Sequence, residues 1–218
     1  MVARKKAPDT PLTRERIVDA ALSVVDADGP KALSMRRLGA ELGVDPMAIY
    51  YHVPNKDALL DAIVEAVMAQ IDLSADDPTS PAEDRILCAA RIYRDAMLAH
   101  VNALPIVLSR GPSTPVAMRP VELLIGILRD AGLPPSQAMA GMNAIAATVR
   151  GTVAMAMDDG AGPQSPEDLE LLAEQFPAEQ FPYLQEAATC GNDFLGHDFD
   201  FGVRALARGL VGAAGHAS

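Results

Sequence analysis

Apolar residues recur at helical spacing through most of the chain, and no segment shows the strict alternation of a half-buried strand. The first helical pattern begins after Thr13, a residue that can cap a helix, and continues to Val25. The segment DADGP at residues 26–30 ends it. Because the same kind of pattern returns along the whole sequence, we expect an all-α protein.

Two short helices follow the first one. Ser34 can cap the segment MRRLGAEL, and Gly43 lies just beyond its last turn, where a glycine commonly ends a helix. Asp45 and Pro46 then begin a very short third helix that ends near Tyr51. Two helices joined by a glycine-containing turn predict a helix-turn-helix.

A long fourth helix, capped by Asn55, leads to a polar and proline-bearing segment at residues 72–84. We interpret this segment as a hinge, which predicts one domain at residues 1–71 and a second at residues 72–218. Within the second domain, the pattern predicts helices at about 83–103, 104–109, 115–131, 135–157, 167–175, 179–188 and 197–213.

Charge is distributed unevenly along the chain. The net charge is −11, which argues against nucleic acid as a partner of the chain as a whole. Residues 1–60, however, hold 9 Lys and Arg against 8 Asp and Glu, whereas the remainder holds 9 against 21. Such an asymmetry favours a polyanion-binding module joined to a second module of another function.

The stretch AIYYHVPNK, residues 48–56, holds two of the four tyrosines of the chain. It lies at the far end of the third helix, which in a helix-turn-helix enters the major groove of DNA. Here the hydroxyls of Tyr50 and Tyr51 and the imidazole of His52 can donate to phosphate oxygens. Lys56 adds positive charge to a helix N-terminus that already attracts anions. We therefore predict that these four residues contact the DNA backbone.

The contiguous segment LTRERIVDAALSVVDADGPKALSMRRLGAELGVDPMAIYYHVPNKDALLDAI resembles the DNA-binding domain of the TetR family of bacterial repressors. The turn Leu-Gly-Val, the Tyr-x-His-Val pattern and the Asn-Lys-x-x-Leu-Leu that follows carry the resemblance. Beyond this segment the chain is similar to the tetracycline-repressor branch only in its helix layout. The resemblance implies a homodimer that binds a palindromic double-stranded DNA operator and releases it when a small molecule occupies the second domain.

The resemblance also assigns residues to base reading. Arg36 matches the family position that reaches a base, and arginine suits guanine. For Arg37 we expect phosphate or surface contacts only. Since the recognition helix has few hydrogen-bond donors, we expect apolar contact with thymine methyls, with a packing role as the alternative for Met47. The residues on its base-reading face are Asp45, Pro46, Met47 and Ala48.

The second domain is predicted to bind the effector. Seven of ten methionines lie beyond residue 60, and flexible methionines suit a cavity that closes around an apolar ligand, although ordinary helix packing is the alternative for each. Polar groups on apolar segments complete the prediction, and Arg150 could instead form a salt bridge. The predicted effector residues are Met97, His100, Met118, Met139, Met142, Asn143, Thr148 and Arg150.

Tetracycline is a poor candidate for the effector. The resemblance places Ala89 and Val107 where tetracycline-binding members carry an asparagine and a metal-binding histidine. No other His, Asp or Glu cluster has metal-ligand spacing, so we expect no metal and no cofactor. The effector is expected to be largely apolar, either polyketide-like or drug-like.

The dimer prediction rests on the helices predicted at about 135–157 and 197–213. Small residues recur along the first of these, at Ala138, Gly141, Ala144, Ala147, Thr148 and Gly151. The closing segment FGVRALARGLVGAAG is apolar on one side. Both could meet their symmetry mates in a four-helix interface, with packing inside one subunit as the alternative.

Other functional classes lack support in the sequence. We find no glycine-rich phosphate loop, no paired catalytic acids and no nucleophile–histidine motif, so we expect no enzyme. Cys88 and Cys190 have no metal spacing and are interpreted as reduced packing residues. No signal peptide or membrane span is expected, which favours the cytoplasm. An activator, or a DNA-binding protein without a ligand, remains an alternative to the repressor.

Overall fold

The computed structural model describes residues 11–111, 113–156, 166–189 and 198–214. Within these ranges the chain is helical and contains no strand, which confirms the predicted all-α fold. Short 3₁₀ turns lie at Pro30–Ala32, Leu73–Ala75 and Val101–Ala103. The helices are α1 Arg14–Asp28, α2 Met35–Leu42, α3 Pro46–Tyr50, α4 Lys56–Ala69, α5 Ala82–Leu98, α6 Leu104–Ser109, α7 Pro115–Asp130, α8 Pro135–Ala156, α9 Pro166–Glu174, α10 Pro182–Ala188 and α11 Asp198–Ala214.

Side-chain caps begin the first four helices, as the sequence predicts. Each cap accepts a hydrogen bond from an amide of the first turn, which has no partner within the helix. The caps, with the donating amides and distances, are Thr13 (Arg16, 3.3 Å), Ser34 (Arg37, 3.2 Å), Asp45 (Met47, 2.8 Å) and Asn55 (Ala58, 2.8 Å). The start of each helix is therefore encoded locally.

Glycines shape the turn between α2 and α3. Gly43 ends α2 in the left-handed conformation, with φ 69° and ψ 29°, which costs a residue with a side chain about 1 kcal/mol or more. Gly39 is buried inside α2, and a Cβ there would lie 2.9 Å from the carbonyl oxygen of Val44. The absence of side chains at both positions lets the chain fold back tightly, so that α3 lies close to α2.

The chain divides into two compact units. The first contains the described residues through Ala75 and Ile92–Leu123, and the second contains Asp76–Arg91 and the described residues from Leu124 onward. The second half of α5, all of α6 and most of α7 thus belong to the unit that holds the helix-turn-helix. The functional boundary between residues 71 and 72 stays a prediction.

In the first unit, α1 packs on α2, on α4 and on the 3₁₀ turn Val101–Ala103, while α6 packs on α4. The buried residues of α1 and of α4 are all apolar. Their removal from water drives the packing of the two helices. The buried residues of these two helices and of α6 are Ile17, Val18, Ala21, Leu22, Val24, Val25, Leu59, Ala62, Ile63, Val64, Val67, Met68, Leu104, Ile106 and Val107.

In the second unit, α8 packs against α11. A Cβ added to Gly141 would lie 3.1–3.2 Å from side-chain carbons of Leu210 and Leu128, so this glycine permits close packing inside the subunit. The alternative of packing inside one subunit therefore holds for Gly141. Ala147 and Gly151, farther along the same helix, are exposed in the single chain.

Several details differ from the predicted layout or fall outside it. Helix α5 ends at Leu98 rather than near residue 103, because the chain turns at His100 into a 3₁₀ segment. Cys88 is half-buried, whereas Cys190 and Met157 lie outside the described residues. None of the helices in the described ranges is long and apolar enough to cross a membrane.

Candidate DNA-binding and effector sites

The proposed recognition helix α3, with Tyr51 that follows it, has one buried residue and three exposed large side chains. Ile49 is fully buried and anchors it to the core of the first unit. Met47 is 64% exposed, Tyr50 41% and Tyr51 88%, which is unusual for large apolar and aromatic side chains. Such exposure disfavours the packing alternative for Met47 and leaves these side chains available to a partner.

The remaining predicted residues of the recognition helix lie around this exposed side. Asp45 uses its carboxylate as the cap of α3, so its role in the single chain is structural. Pro46 and Ala48 are half-buried, and His52 is exposed at the end of the helix. Met47, Tyr50, Tyr51 and His52 are thus exposed in the single chain, and their contacts with DNA stay a prediction.

The two arginines of α2 differ in their surroundings. Arg36 is exposed, and no described residue bonds to its guanidinium. Arg37 pairs with Asp28 at 3.2 Å, and both side chains are about half exposed. An exposed pair of this kind contributes at most about 1 kcal/mol, so Arg37 can exchange it for a phosphate contact. Arg36 needs no such exchange.

Lys56 lies at the first position of α4, and its ammonium donates to the carbonyl of Leu33 at 2.9 Å. An ammonium group has three donors, so this bond positions the charge and leaves two donors for an anion. The start of α4 also presents the positive end of the helix dipole. These features suit the predicted phosphate contact.

Behind this helix start lies an ion-pair cluster that sequence reasoning missed. The guanidinium of Arg110, which follows α6, donates to the carboxylate of Asp57 at 2.6 Å and to the Asp57 carbonyl at 3.2 Å. It also bonds to the carboxylate of Asp61. Because 53 residues separate Arg110 from Asp57, no local pattern in the sequence could have revealed the cluster.

The predicted effector residues fall in both units. Met97, His100 and Met118 belong to the first unit and the other five to the second. Their environments differ widely. Met97 and Met142 are buried, His100 and Arg150 are half-buried, Met118, Met139 and Asn143 are exposed, and Thr148 donates its hydroxyl proton to the Ala144 carbonyl at 2.9 Å. Their role in effector binding stays a prediction.

His100 has structural partners on both ring nitrogens. Its Nδ1 lies 2.8 Å from a carboxylate oxygen of Asp26 in α1, and its Nε2 lies 2.9 Å from the amide oxygen of Gln70 after α4. The Asn102 side chain donates to the Asp26 carbonyl at 2.7 Å. These bonds join the α5–α6 connection to the ends of α1 and α4. They account for the polarity of His100 without an effector.

A cavity of about 430 Å³ opens in the first unit between the end of α4, the following 3₁₀ turn and α7. This volume falls within the range of small-molecule sites, roughly 300–1,000 Å³. None of the eight predicted effector residues lines it. Its lining consists of Met68, Ala69, Ile71, Asp72, Leu73, Ser74, Val116, Arg119, Pro120 and Glu122.

The cavity combines apolar walls with three charged groups. Met68 and Ile71 are buried apolar residues, and Arg119 and Glu122 add opposite charges. Hydrogen bonds from the side chain and the backbone amide of Ser74 lower the pKa of Asp72, so this carboxylate stays ionised in mildly acidic solution. The arrangement suits a largely apolar molecule that also carries polar groups. The helical spacing of Met68 and Ile71 with the apolar residues before them was the available signal for these walls.

No group of three or more His, Cys, Asp or Glu residues that could hold a metal ion occurs in the described part of the chain.

Two family models match the chain. Residues 17–63 match the model of bacterial regulatory proteins of the tetR family, and residues 76–212 match the tetracyclin repressor-like C-terminal domain. The sequence is 31% identical to an HTH-type transcriptional regulator of Saccharopolyspora erythraea, over 94% of this chain and 86% of that protein. It is 28% identical to the HTH-type transcriptional repressor DrrR1 of Streptomyces coeruleorubidus, over 94% and 79%.

Solved structures agree with the family models. Apo ActR from Streptomyces coelicolor is similar with a TM-score of 0.81 and 30% identity, over 97% of this chain and 100% of ActR. ActR in complex with actinorhodin gives a TM-score of 0.77, over 94% and 100%. The partner classes implied by the sequence resemblance, operator DNA and a small-molecule effector, are those of the family that both models identify. The chain therefore belongs to the TetR family of bacterial regulatory proteins and is a ligand-responsive, DNA-binding transcriptional regulator.

Proposed function

We propose that this regulator is a repressor, which binds a palindromic operator as a homodimer and leaves it when a small, largely apolar molecule binds. The observation that carries the proposal is the exposure of Arg36, Met47 and Tyr51 on the helix-turn-helix of the single chain. Its relatives are transcriptional regulators, and we propose that it acts in the same way, without catalysis, in the cytoplasm.

The DNA contacts are proposed to divide by chemistry. Arg36 reads a guanine, and Met47 with Ala48 packs on thymine methyls. The other contacts hold the phosphate backbone and set the position of α3 in the groove. We assign these to Arg37, Tyr50, Tyr51, His52 and Lys56, with Asp45 and Pro46 fixing the start of the recognition helix.

The homodimer is proposed to form through α8 and α11. Ala147 and Gly151 are small and exposed in the single chain, which permits a second helix to approach closely. In such a dimer the two recognition helices must lie about one DNA turn apart, roughly 34–36 Å. An effector that favours another spacing removes the protein from its operator.

The effector is proposed to be a metal-free, polyketide-like or drug-like compound. ActR, which is 30% identical, has been solved with actinorhodin, and the cavity beside Met68 and Arg119 offers walls of matching character. The five predicted effector residues of the second unit form a second proposed location: Met139, Met142, Asn143, Thr148 and Arg150. Effector titration of a Met68→Gln variant and a Met142→Gln variant separates the two, since the one that weakens effector binding while preserving the DNA affinity marks the site.

The test of the proposed function is a binding measurement with the DNA that lies immediately upstream of the gene for this protein. A labelled duplex is titrated in excess random competitor, with and without a panel of apolar drug-like compounds. Tight binding released by one compound supports the proposal. Release that requires a divalent metal contradicts the metal-free effector, and activation of a reporter gene from the same DNA contradicts the repressor.

A further inference from the structure

The start of α4 carries negative charge where the proposed DNA contact requires positive charge. Asp57 and Asp61 lie in the first two turns of this helix, and their side chains are 81% and 52% exposed. Asp57 directly follows Lys56, the proposed phosphate contact. A carboxylate next to a phosphate site repels the phosphate and competes with it for the amides of the helix N-terminus.

Arg110 counteracts both effects. Its two terminal nitrogens bind different carboxylates, Nη2 that of Asp57 and Nη1 that of Asp61, and Nη1 also bonds to the Asp57 carbonyl. The Arg110 side chain is only 25% exposed, so it is held under the helix while the aspartates remain at the surface. The hydrogen bonds that Arg110 donates to the carboxylates of Asp61 and Asp57 also raise the pKa of Arg110, which keeps its charge permanent.

We infer that Arg110, which lies outside the helix-turn-helix, sets the affinity of the protein for DNA by neutralising Asp57 and Asp61 and holding them away from the phosphate site at Lys56. The inference rests on the proposed phosphate contact of Lys56. It assigns Arg110 an electrostatic positioning role, since its guanidinium is engaged by the aspartates and does not itself need to contact DNA.

The expected size follows from counterion release. Each effective charge on a DNA-binding face changes the slope of log K against log salt concentration by about 0.9. Between 50 and 200 mM salt, this slope changes the affinity by roughly three-fold. An Arg110→Ala variant uncovers one net negative charge per subunit. For the two charges of a dimer, the ratio of wild-type to variant affinity should therefore be about ten-fold larger at 50 mM than at 200 mM salt.

The experiment measures fluorescence anisotropy of a labelled, random-sequence 30-bp duplex at several salt concentrations between 50 and 200 mM. Three variants are compared with the wild-type protein: Arg110→Ala, Arg110→Lys, and Arg110→Ala combined with Asp57→Asn and Asp61→Asn. Arg94→Ala is the matched control, because the Arg94 side chain is also 25% exposed and pairs with Asp95 in α5, a helix with no proposed contact to DNA or to a second subunit. Thermal melting of each variant verifies that it is folded.

Support for the inference is a loss in Arg110→Ala alone, near wild-type binding in Arg110→Lys, and restored binding in the triple variant. If Arg110 only ties α6 to α4, the loss in Arg110→Ala is independent of salt and persists in the triple variant, which overturns the inference. Equal binding by the wild type, Arg110→Ala and the control overturns it as well. A wild-type protein that binds neither this duplex nor the DNA upstream of its gene instead refutes the proposed function.

Discussion

Replacement of Gly39 by alanine should loosen the helix-turn-helix. Gly39 is buried in the middle of α2, and an added Cβ would lie 2.9 Å from the carbonyl oxygen of Val44 and 3.1–3.2 Å from ring carbons of Pro46. The amides of Gly43 and Val44 both donate to the Gly39 carbonyl, the second at 2.9 Å. The new methyl group would thus push against the same turn that is hydrogen-bonded to residue 39.

Two opposing terms give the size of the effect. Alanine gains about 1 kcal/mol over glycine inside a helix. Overpacking a tight contact costs about 1–3 kcal/mol, and here the nearest atom belongs to the backbone, which cannot rotate aside. The net expectation is a destabilisation of about 1 kcal/mol, which lowers the melting temperature by about 2–4 °C in a chain of this size.

The assay combines a thermal melt followed by circular dichroism with an operator titration by anisotropy. Relief of the contact moves α3 relative to α2, so operator binding should suffer as well, and a loss of about 1.4 kcal/mol appears as a tenfold weaker Kd. Gly126→Ala in α7 is the control. No atom lies within 4 Å of its added Cβ, so this variant should be unchanged or stabilised by up to about 1 kcal/mol.

A Gly39→Ala protein that melts no lower than the wild type and binds its operator equally tightly would refute this reasoning. In that case the α2–α3 turn has room that the close distances do not indicate. A loss of the same size in Gly126→Ala would refute it too, because the cause would then be the glycine-to-alanine change itself.

Three further predictions concern other parts of the molecule. Arg36→Ala should weaken operator binding by about 1–3 kcal/mol and reduce the preference of the protein for the operator over other sequences. An equal loss of affinity for random DNA would show that Arg36 contacts phosphates instead of a base. Arg85 binds both carboxylate oxygens of Asp76 at 2.9 and 2.8 Å in a pair only about a tenth exposed, so Asp76→Asn should lower the free energy of unfolding in urea by about 2–4 kcal/mol. A loss under about 0.5 kcal/mol would contradict a buried pair. The hydroxyl and the amide of Thr79 donate to the Asp77 carboxylate and lower the pKa of Asp77. The stability that these hydrogen bonds contribute is therefore present at neutral pH and is lost as the pH falls through the lowered pKa of the folded state. Thr79→Val should therefore be less stable than the wild type at neutral pH and approach it in acid, and parallel pH profiles would contradict the assignment.

Local sequence signals predicted where helices α1 to α4 begin and where α2 ends. Ser34 and Gly43 bound α2 as expected, and Asp45 caps α3. These boundaries were predictable because a cap and its amide partners lie within three residues of each other. The end of α5 was less predictable, since the apolar pattern continues into the 3₁₀ turn after His100.

The two candidate sites also differ in how much of each could be predicted from the sequence. The exposed face of α2 and α3 could be predicted from the sequence, because the two helices and their turn are contiguous and the face follows from helical periodicity. The surroundings of the predicted effector residues could not be predicted in this way. Methionines at helical spacing occur both in cores and at cavities, and Met97, fully buried, and Met139, 46% exposed, carry the same sequence signal.

The sequence by itself determined the helix starts, the helix-turn-helix and the charge asymmetry, since each depends on residues close together in the chain. Only the tertiary structure decided that Arg110 neutralises Asp57, that His100 bonds to Asp26 and that a cavity opens beside Met68. These features join residues separated by tens of positions, and such pairs meet only where helices pack. The physical reason is that packing geometry, unlike capping, has no short-range signature in the order of the amino acids.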